Sequence, residues 1–139
     1  PSIYYGSEWG IKGRKEGAND DPLRPAVDLK EALKDPEDPK LLEWIKTLGK
    51  IHKEQPALSE GRYQELLLTN RQYAFARILG EEGVVVAVNN DDKPAELCIR
   101  QPLNGKSYTR LIDGTEGIVE NGNLRVTLQP NESQIFAFA

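Results

Sequence analysis

The alternation of apolar and polar positions changes twice along this chain. The opening, Pro1-Ser2-Ile3-Tyr4-Tyr5-Gly6-Ser7-Glu8-Trp9-Gly10, is a short run rich in β-branched and aromatic residues that stops at a glycine. It predicts a buried strand delivering a polar loop at its C-terminal end, where parallel α/β sheets place their chemistry. A buried parallel strand needs neighbours on both sides and nothing precedes this one, so the chain is expected to be the tail of something larger. Residues 10–36 read as loop, punctuated by Gly10, Gly13 and Gly17, with about two helical turns over Val27–Leu33. A loop of that length in a compact domain points to function or disorder.

Around Asp38-Pro39 the period becomes helical. Asp38 is a good N-cap, and Pro39 fits the first helical position, where its missing N–H costs nothing. Leu41, Leu42, Trp44, Ile45, Leu48 and Ile51 recur at spacings of three and four, with lysines and Glu43 on the other face. The spacing predicts a helix over about 39–54, ending before Pro56.

From Gly61 the period falls to two. Leu66 and Leu68 alternate with polar residues, as do Tyr73, Phe75 and Leu79 (broken by Arg77), then Val84, Val86 and Val88, Leu97 and Ile99, Tyr108 and Leu111, Leu124 to Leu128, and Ile135 to Phe138. Turn signals separate these runs, among them Gly80-Glu81-Glu82-Gly83, Asn104-Gly105, Asp113-Gly114 and Asn121-Gly122. The pattern predicts a mainly β fold: an antiparallel β-sandwich of about eight strands with Greek-key connections, preceded by a strand-loop-helix unit. The boundary is placed at Gln55-Pro56, giving domains 1–55 and 56–139.

Composition narrows the partners. The 139 residues suit one domain, or one plus part of another. A net charge of −4 with interspersed signs leaves no basic patch for a phosphate backbone, which argues against nucleic acid. No apolar run approaches the roughly 20 residues of a membrane-spanning helix, which argues against a membrane partner. The single cysteine, Cys98, sits in an alternating run and is expected to be a small buried hydrophobe, with no disulfide or cysteine metal site to build. Nothing requires an oxidising compartment, so the cytoplasm is favoured over secretion. Gly10, Gly13 and Gly17 lack the Lys-Ser/Thr of a phosphate loop, and His52 has no acid, Cys or second His at ligand spacing. No cofactor or metal is implied.

Candidate chemistry concentrates at the opening. The acids of the β region, including Asp91, Asp92, Asp113 and Glu132, fall in turns or on polar phases and read as solvated surface. Tyr73 reads as core, while Tyr63 and Tyr108 are open between core and an exposed platform for sugar. By contrast, Tyr4, Tyr5, Glu8 and Trp9 put aromatic faces and a carboxylate at one strand end, and Asp20 and Arg24 stand four apart, able to pair or to hold hydroxyls. Carboxylates and arginine suit sugar hydroxyls, and aromatic rings cover the apolar faces of sugars.

These residues resemble a known family. Pro1-Ser2-Ile3-Tyr4-Tyr5-Gly6-Ser7-Glu8 is similar to the segment at the eighth barrel strand of the α-amylase family of glycoside hydrolases, within the cyclomaltodextrinase, neopullulanase and maltogenic-amylase group. Asp20 and Arg24 match the spacing of that family's Asp-Pro-x-x-Arg element. Leu42 to Ala57 resembles its last barrel helix, and Pro56-Ala57-Leu58 with Gly61-Arg62-Tyr63 its Pro-Ala-Leu-x-x-Gly-x-Tyr segment. Pro22 stands one place later than the family's proline, which leaves Asp21 beside Asp20 as an alternative, and Ser7 stands where many members carry Asp.

The resemblance implies the last strand, loop and helix of a (β/α)8 barrel followed by a C-terminal β domain. It implies a parent enzyme that hydrolyses α-glucosidic bonds of starch oligosaccharides or cyclodextrins with retention. The family's three catalytic carboxylates lie upstream of Pro1, so the chain is expected to be catalytically inert. It would contribute a subsite wall of Tyr5, Glu8, Trp9, Asp20 and Arg24 and a domain that buttresses the barrel. The expected partners are an α-glucan oligosaccharide, the rest of the barrel, and a second copy of the chain through strand addition. A free-standing carbohydrate-binding sandwich and a plain interaction domain are the alternatives. Ile3, Tyr4, Tyr5 and Trp9 are expected to be covered by the helix around Trp44 or by another chain.

Overall fold

In the computed structural model, residues 2–34 and 39–139 are described. Asp38, expected to cap the main helix, lies outside them. The chain divides into two compact units, Pro1–Gly49 and Lys50–Ala139.

In the first unit the opening forms no strand: residues 2–4 are irregular, and a turn at 5–6 leads into a 3-10 turn, Ser7–Trp9. Extended backbone becomes a strand only when a neighbour accepts its N–H and C=O groups, and no described strand pairs with residues 2–5. Helix α1, Leu29–Lys34, starts two residues later than the expected Val27, because Asp28 caps it: its Oδ1 accepts the Lys30 N–H at 2.8 Å. Helix α2, Pro39–Glu54, matches the expected span. Its apolar face is covered unevenly. Ile51 is buried, whereas Trp44 and Leu48 remain exposed. Trp44 therefore does not act as a lid: Ile3 and Tyr4 are 61% and 56% exposed.

The second unit is an antiparallel β-sandwich. Helix α3, Pro56–Glu60, follows α2 at once with Pro56 in its first turn, a helix that the expectation of an ending before Pro56 did not include. Eight strands follow: β1 (Arg62–Leu68), β2 (Gln72–Leu79), β3 (Glu82–Asn89), β4 (Ala95–Arg100), β5 (Ser107–Arg110), β6 (Glu116–Ile118), β7 (Asn123–Leu128) and β8 (Ser133–Phe138). A six-stranded sheet has the order β1-β2-β3-β8-β5-β6, and β4 pairs with β7 in a second sheet. The chain crosses between sheets after β3, β4, β6 and β7, and β8 lies between β3 and β5, which gives the fold its Greek-key character. The turn before β7 has positive φ at both Asn121 (52°) and Gly122 (75°), as its sequence requires.

The core lies between the sheets, and its residues correct the expected phase. Ala74, Ala76 and Ile78 of β2, with Val85 and Ala87 of β3 and Phe136 of β8, meet Leu97, Ile99, Leu124 and Leu128 of the small sheet. Tyr73, Phe75, Val84 and Val86, the larger residues of the alternation, point the other way. Strand β3 pairs Val86 with Phe75 and with Ile135, so these three share the outer face. There Val84 and Ile135 are buried against Ile51 of α2, with Leu58 and Val86 packed alongside. Strand β3 thus has two buried faces, and for that reason reads as a near-continuous apolar run.

Two polar features fix the ends of the sandwich. Asn89 is fully buried; its Oδ1 accepts the Gln72 amide at 3.0 Å, and its Nδ2 donates to the carbonyls of Lys93 (2.8 Å) and Gln129 (3.0 Å). It ties together β2 and the two loops that follow β3 and β7. At the other end Gly61 joins α3 to β1. A Cβ there would stand 2.5 Å from the Ala57 carbonyl oxygen and 2.9 Å from the Ile78 nitrogen, both backbone atoms.

Exchange of the two glycines on either side of this junction should therefore act in opposite directions. Gly61→Ala should destabilise the chain by about 2 kcal/mol or more, because backbone must shift. Gly49→Ala, inside α2 with open space around it, should stabilise it by about 0.5–1 kcal/mol. Asn89→Leu should cost about 2–3 kcal/mol by leaving buried carbonyls unpaired. Urea unfolding measures all three, and a neutral Gly61→Ala would overturn the junction geometry.

Candidate functional site

The segment 5–25 is a long loop tied to itself. At its mouth the Tyr5 hydroxyl donates to the Pro25 carbonyl at 3.2 Å, and the Tyr4 and Tyr5 rings lie 4.8 Å apart. The Ile11 N–H returns to the Gly6 carbonyl at 3.1 Å. Farther along, Gly13 lies against the opposite limb: a Cβ there would stand 2.4 Å from the Pro22 carbonyl oxygen. Near the tip, Lys15 Nζ meets Asp20 Oδ1 at 3.1 Å, and Glu16 and Asn19 form a β-bridge. Asn19 Oδ1 accepts the Asp21 N–H at 3.0 Å and so starts the 3-10 turn Asp21–Leu23. The Lys15–Asp20 pair is exposed and worth at most about 1 kcal/mol. The loop holds its shape through several such ties at successive levels.

The expected site residues are placed as follows. Tyr5 stands at the mouth, and Arg24 lies close enough for its charge to act on the Tyr5 hydroxyl. Partial burial, with the charge of the Tyr4 hydroxyl and a hydrogen bond to it, pushes that hydroxyl above its ordinary value, and Arg24 opposes them. Glu8 and Trp9 sit half-buried in the 3-10 turn, and the Trp9 indole N–H is buried without a hydrogen-bond partner among the described residues. Asp20 is not paired with Arg24. It faces Lys15, a residue that sequence reasoning passed over, although an opposite charge five places back in a glycine-punctuated loop was a usable signal.

Two expectations in the β unit, for Cys98 and Tyr73, are corrected, and Tyr63 and Tyr108, which the sequence left open, take definite places. Cys98 is exposed on the outer side of β4, opposite Arg125, because the core phase of that strand falls on Leu97 and Ile99. Tyr73 lies on the outer face of the six-stranded sheet rather than in the sandwich core. It hydrogen-bonds Tyr63 through the two hydroxyls, and both rings pack on Phe75, at 5.7 and 5.6 Å. That hydrogen bond, with burial and Glu65 adding, pushes the Tyr63 hydroxyl up to about 12. Tyr108 is a core-edge residue set edge-on to Phe136 at 5.4 Å.

Asp113 and Glu132 are not merely solvated. Arg110 Nη2 reaches Glu132 Oε1 at 2.5 Å and Asp113 Oδ2 at 3.0 Å, and the buried Gln134 amide donates to both carboxylates. Burial opposes ionisation of each acid. For Glu132 the Gln129 N–H, Gln134 and Arg110 outweigh it; for Asp113, Thr115, Arg110 and Gln134 do so. Both carboxyls are held below their ordinary values.

A two-sheet Greek-key sandwich preceded by helices and a long loop is a fold that the chain shares with solved α-amylases. The model of the maltogenic amylase C-terminal domain matches residues 63–135, more than half of the chain, and the chain belongs to that family. It is 27% identical over 139 residues to neopullulanase 2 of Thermoactinomyces vulgaris, covering 97% of this chain and 22% of that protein. It is 28% identical over 141 residues to the cyclomaltodextrinase of Geobacillus thermopakistaniensis, covering 99% and 22%. The crystal structure of an Anoxybacillus α-amylase superposes with a TM-score of 0.80 at 23% identity, over 98% of this chain and 28% of that one. The chain thus spans about a tenth to a fifth of the length of the curated relatives it matches.

The Arg110 cluster gives a pH dependence with a definite sign. Carboxyls whose folded values lie below their unfolded values, about 4 for model acids, stabilise the fold above that range and cease to do so as pH falls through the folded values. The melting temperature should therefore fall with acidification below about pH 4.5. Arg110→Met should lower stability at pH 7 and flatten the acid limb. An unchanged acid limb in that variant, read by circular dichroism melts, would show that the cluster does not contribute.

Proposed function

We propose that the chain serves as the non-catalytic C-terminal part of a retaining hydrolase of α-glucans, acting on starch oligosaccharides or cyclodextrins. The β-sandwich stabilises a (β/α)8 barrel, and the loop 5–25 supplies one wall of a substrate subsite. The observation that carries this reading is the loop's architecture: it is closed at Tyr5–Pro25, holds Tyr5 near Arg24, and precedes a domain of the maltogenic amylase family. Neopullulanase 2 and cyclomaltodextrinase, among the relatives, support the substrate class.

Each side chain then has a physical role. The Tyr5 ring covers an apolar sugar face while its hydroxyl stays engaged with Pro25, which fixes the ring's direction. Arg24 donates to sugar hydroxyls. The Trp9 ring adds apolar surface, and Glu8 accepts from a hydroxyl. Asp20 either accepts from the sugar or, held by Lys15, sets the shape of the loop. Retaining hydrolysis needs two carboxylates about 5 Å apart, one as nucleophile and one as acid/base. In this reading the barrel provides both.

The test is twofold. The chain alone should release no reducing sugar from cyclodextrin or soluble starch. Titration calorimetry with maltoheptaose should give no binding tighter than about millimolar, since a single wall lacks the enclosure that tight sites need. Turnover by the chain alone would sink the proposal, and micromolar binding would favour a free-standing carbohydrate-binding module instead.

A further inference from the structure

Two of the chain's asparagines precede glycine, in the pairs Asn104-Gly105 and Asn121-Gly122. In such a pair the backbone nitrogen of the glycine can attack the asparagine side-chain carbonyl, since no Cβ on the following residue crowds the approach. Whether this happens in a folded chain depends on how freely the glycine peptide can turn. The two pairs are identical in sequence, and the fold treats them differently.

Asn121 and Gly122 are the central residues of the turn between β6 and β7, with φ of 52° and 75°. An isolated bridge closes the turn: the Glu120 N–H donates to the Asn123 carbonyl at 3.0 Å, and the Asn123 N–H to the Glu120 carbonyl at 2.9 Å. Neither bond uses the Gly122 N–H. The limbs then part, because β6 pairs with β5 in the large sheet and β7 with β4 in the small one. The turn is thus not backed by a ladder, and local opening costs little more than two hydrogen bonds at the surface. Its other ties are long: the Gln101 N–H to the Gly122 carbonyl at 3.2 Å, the Asn123 amide to the Asn121 carbonyl at 3.3 Å, and an exposed Glu120–Arg125 pair at 3.5 Å. Asn121 is exposed, and a Cβ at Gly122 would meet nothing within 4 Å.

Asn104 is exposed as well, but Gly105 is packed. A Cβ there would stand 2.6 Å from the Phe138 Cβ and 3.1 Å from the Ala139 carbonyl oxygen. The Gly105 carbonyl accepts from the Gln101 side-chain amide at 3.2 Å, and that buried side chain is fixed at its other end by the Leu103 N–H at 2.7 Å. The next N–H, of Lys106, donates to the Ala139 carbonyl at 2.8 Å. The Gly105 peptide cannot turn without displacing Phe138 and Ala139.

We propose that Asn121 is a self-modification site: the fold directs deamidation to the β6–β7 turn and spares Asn104. The Gly122 nitrogen forms a bond to Asn121 Cγ, the Cγ–Nδ2 bond breaks, and the Gly122 proton leaves with the side-chain nitrogen as ammonia. Water then opens the cyclic imide. Addition at Cγ gives aspartate; addition at the main-chain carbonyl gives isoaspartate, whose backbone runs through the side chain and is longer by one methylene. Water is the co-reactant and ammonia the leaving group, so no oxidant or reductant is required. Either product adds a negative charge beside Glu120 to a chain whose net charge is already −4. Isoaspartate, with its longer backbone, cannot rebuild a two-residue turn of this geometry. The proposal is independent of the substrate and of any barrel.

Peptide mapping by mass spectrometry tests this on the whole chain aged in mildly alkaline buffer. Trypsin cuts after Arg100, Lys106, Arg110 and Arg125, which places Asn104 in residues 101–106 and Asn121 in residues 111–125, and fragmentation separates Asn121 from Asn123. Deamidation should accumulate about tenfold faster at Asn121 than at Asn104 in the folded chain. In guanidinium chloride, where both pairs are unfolded, the two rates should converge to within about twofold. Asn121→Gly keeps a residue suited to positive φ and carries no side-chain amide, so it should lose the product. Ageing should lower the melting temperature of the parent chain and leave that of Asn121→Gly unchanged.

Equal rates at the two asparagines in the folded chain, including none at either, would overturn the proposal. A preference for Asn121 that persists in guanidinium chloride would overturn it too, by assigning the difference to flanking sequence. So would ageing that lowers both melting temperatures alike, which would place the damage elsewhere. The two rates are read on the parent chain and stand whether or not the variant folds.

Discussion

The second unit depends on one strand that is buried on both of its faces. Strand β3 sends Val85 and Ala87 into the sandwich and Val84 and Val86 toward the helices. Each fully buried aliphatic side chain is worth roughly 1.5–3 kcal/mol, so neither face can be given up without losing a large part of a domain's net stability. The two faces are unlike. The inner one carries Ala74, Ala76 and Ala87 beside Ile78, Val85 and Phe136, and the outer one carries Val84, Val86 and Ile135.

Much else follows from holding that strand in place. Gly61 exists because the helix end at Ala57 and the strand at Ile78 converge within a distance that excludes a Cβ. The segment Pro56-Ala57-Leu58-Ser59-Glu60-Gly61-Arg62-Tyr63 thereby acquires a mechanical meaning. Pro56 starts a one-turn helix, Ala57 is buried, Leu58 closes the outer cluster, Gly61 makes the turn, and Tyr63 opens the aromatic patch. At the far end Asn89 does with hydrogen bonds what a hydrophobe could not, since the loop carbonyls it satisfies would otherwise be buried unpaired.

The loop 5–25 follows a different logic. It has little core of its own and is held by close backbone approach at Gly13, by the short turns Ser7–Trp9 and Asp21–Leu23 and by the exposed Lys15–Asp20 ion pair. Such a loop leaves most of its side chains outside a packed core. The glycines and the Tyr-Tyr-Gly-Ser-Glu run mark the segment in the sequence, and Tyr5, Glu8, Trp9, Asp20 and Arg24 can be named from it. Which of them touch cannot. The Asp20–Arg24 spacing of four suggests a helical pair, but the segment is not helical, so Asp20 turns to Lys15.

What the sequence determines by itself is whatever local pattern encodes: the span of α2, the sites of the hairpin turns at Asn121-Gly122 and Asp113-Gly114, the count of strands and the antiparallel class. Periodicity and turn chemistry act over a few residues and survive without knowledge of neighbours. Tertiary structure decided the rest. It chose the alanine phase of β2 over the aromatic phase for the core, exposed Cys98, buried Asn89 and gathered Arg110, Asp113, Glu132 and Gln134 into one cluster. It also left residues 2–5 without strand pairing. Each of these is settled by what lies across the gap, and an alternating strand is equally good hydrophobic pattern in either phase until the second sheet and the helices arrive to claim one face each.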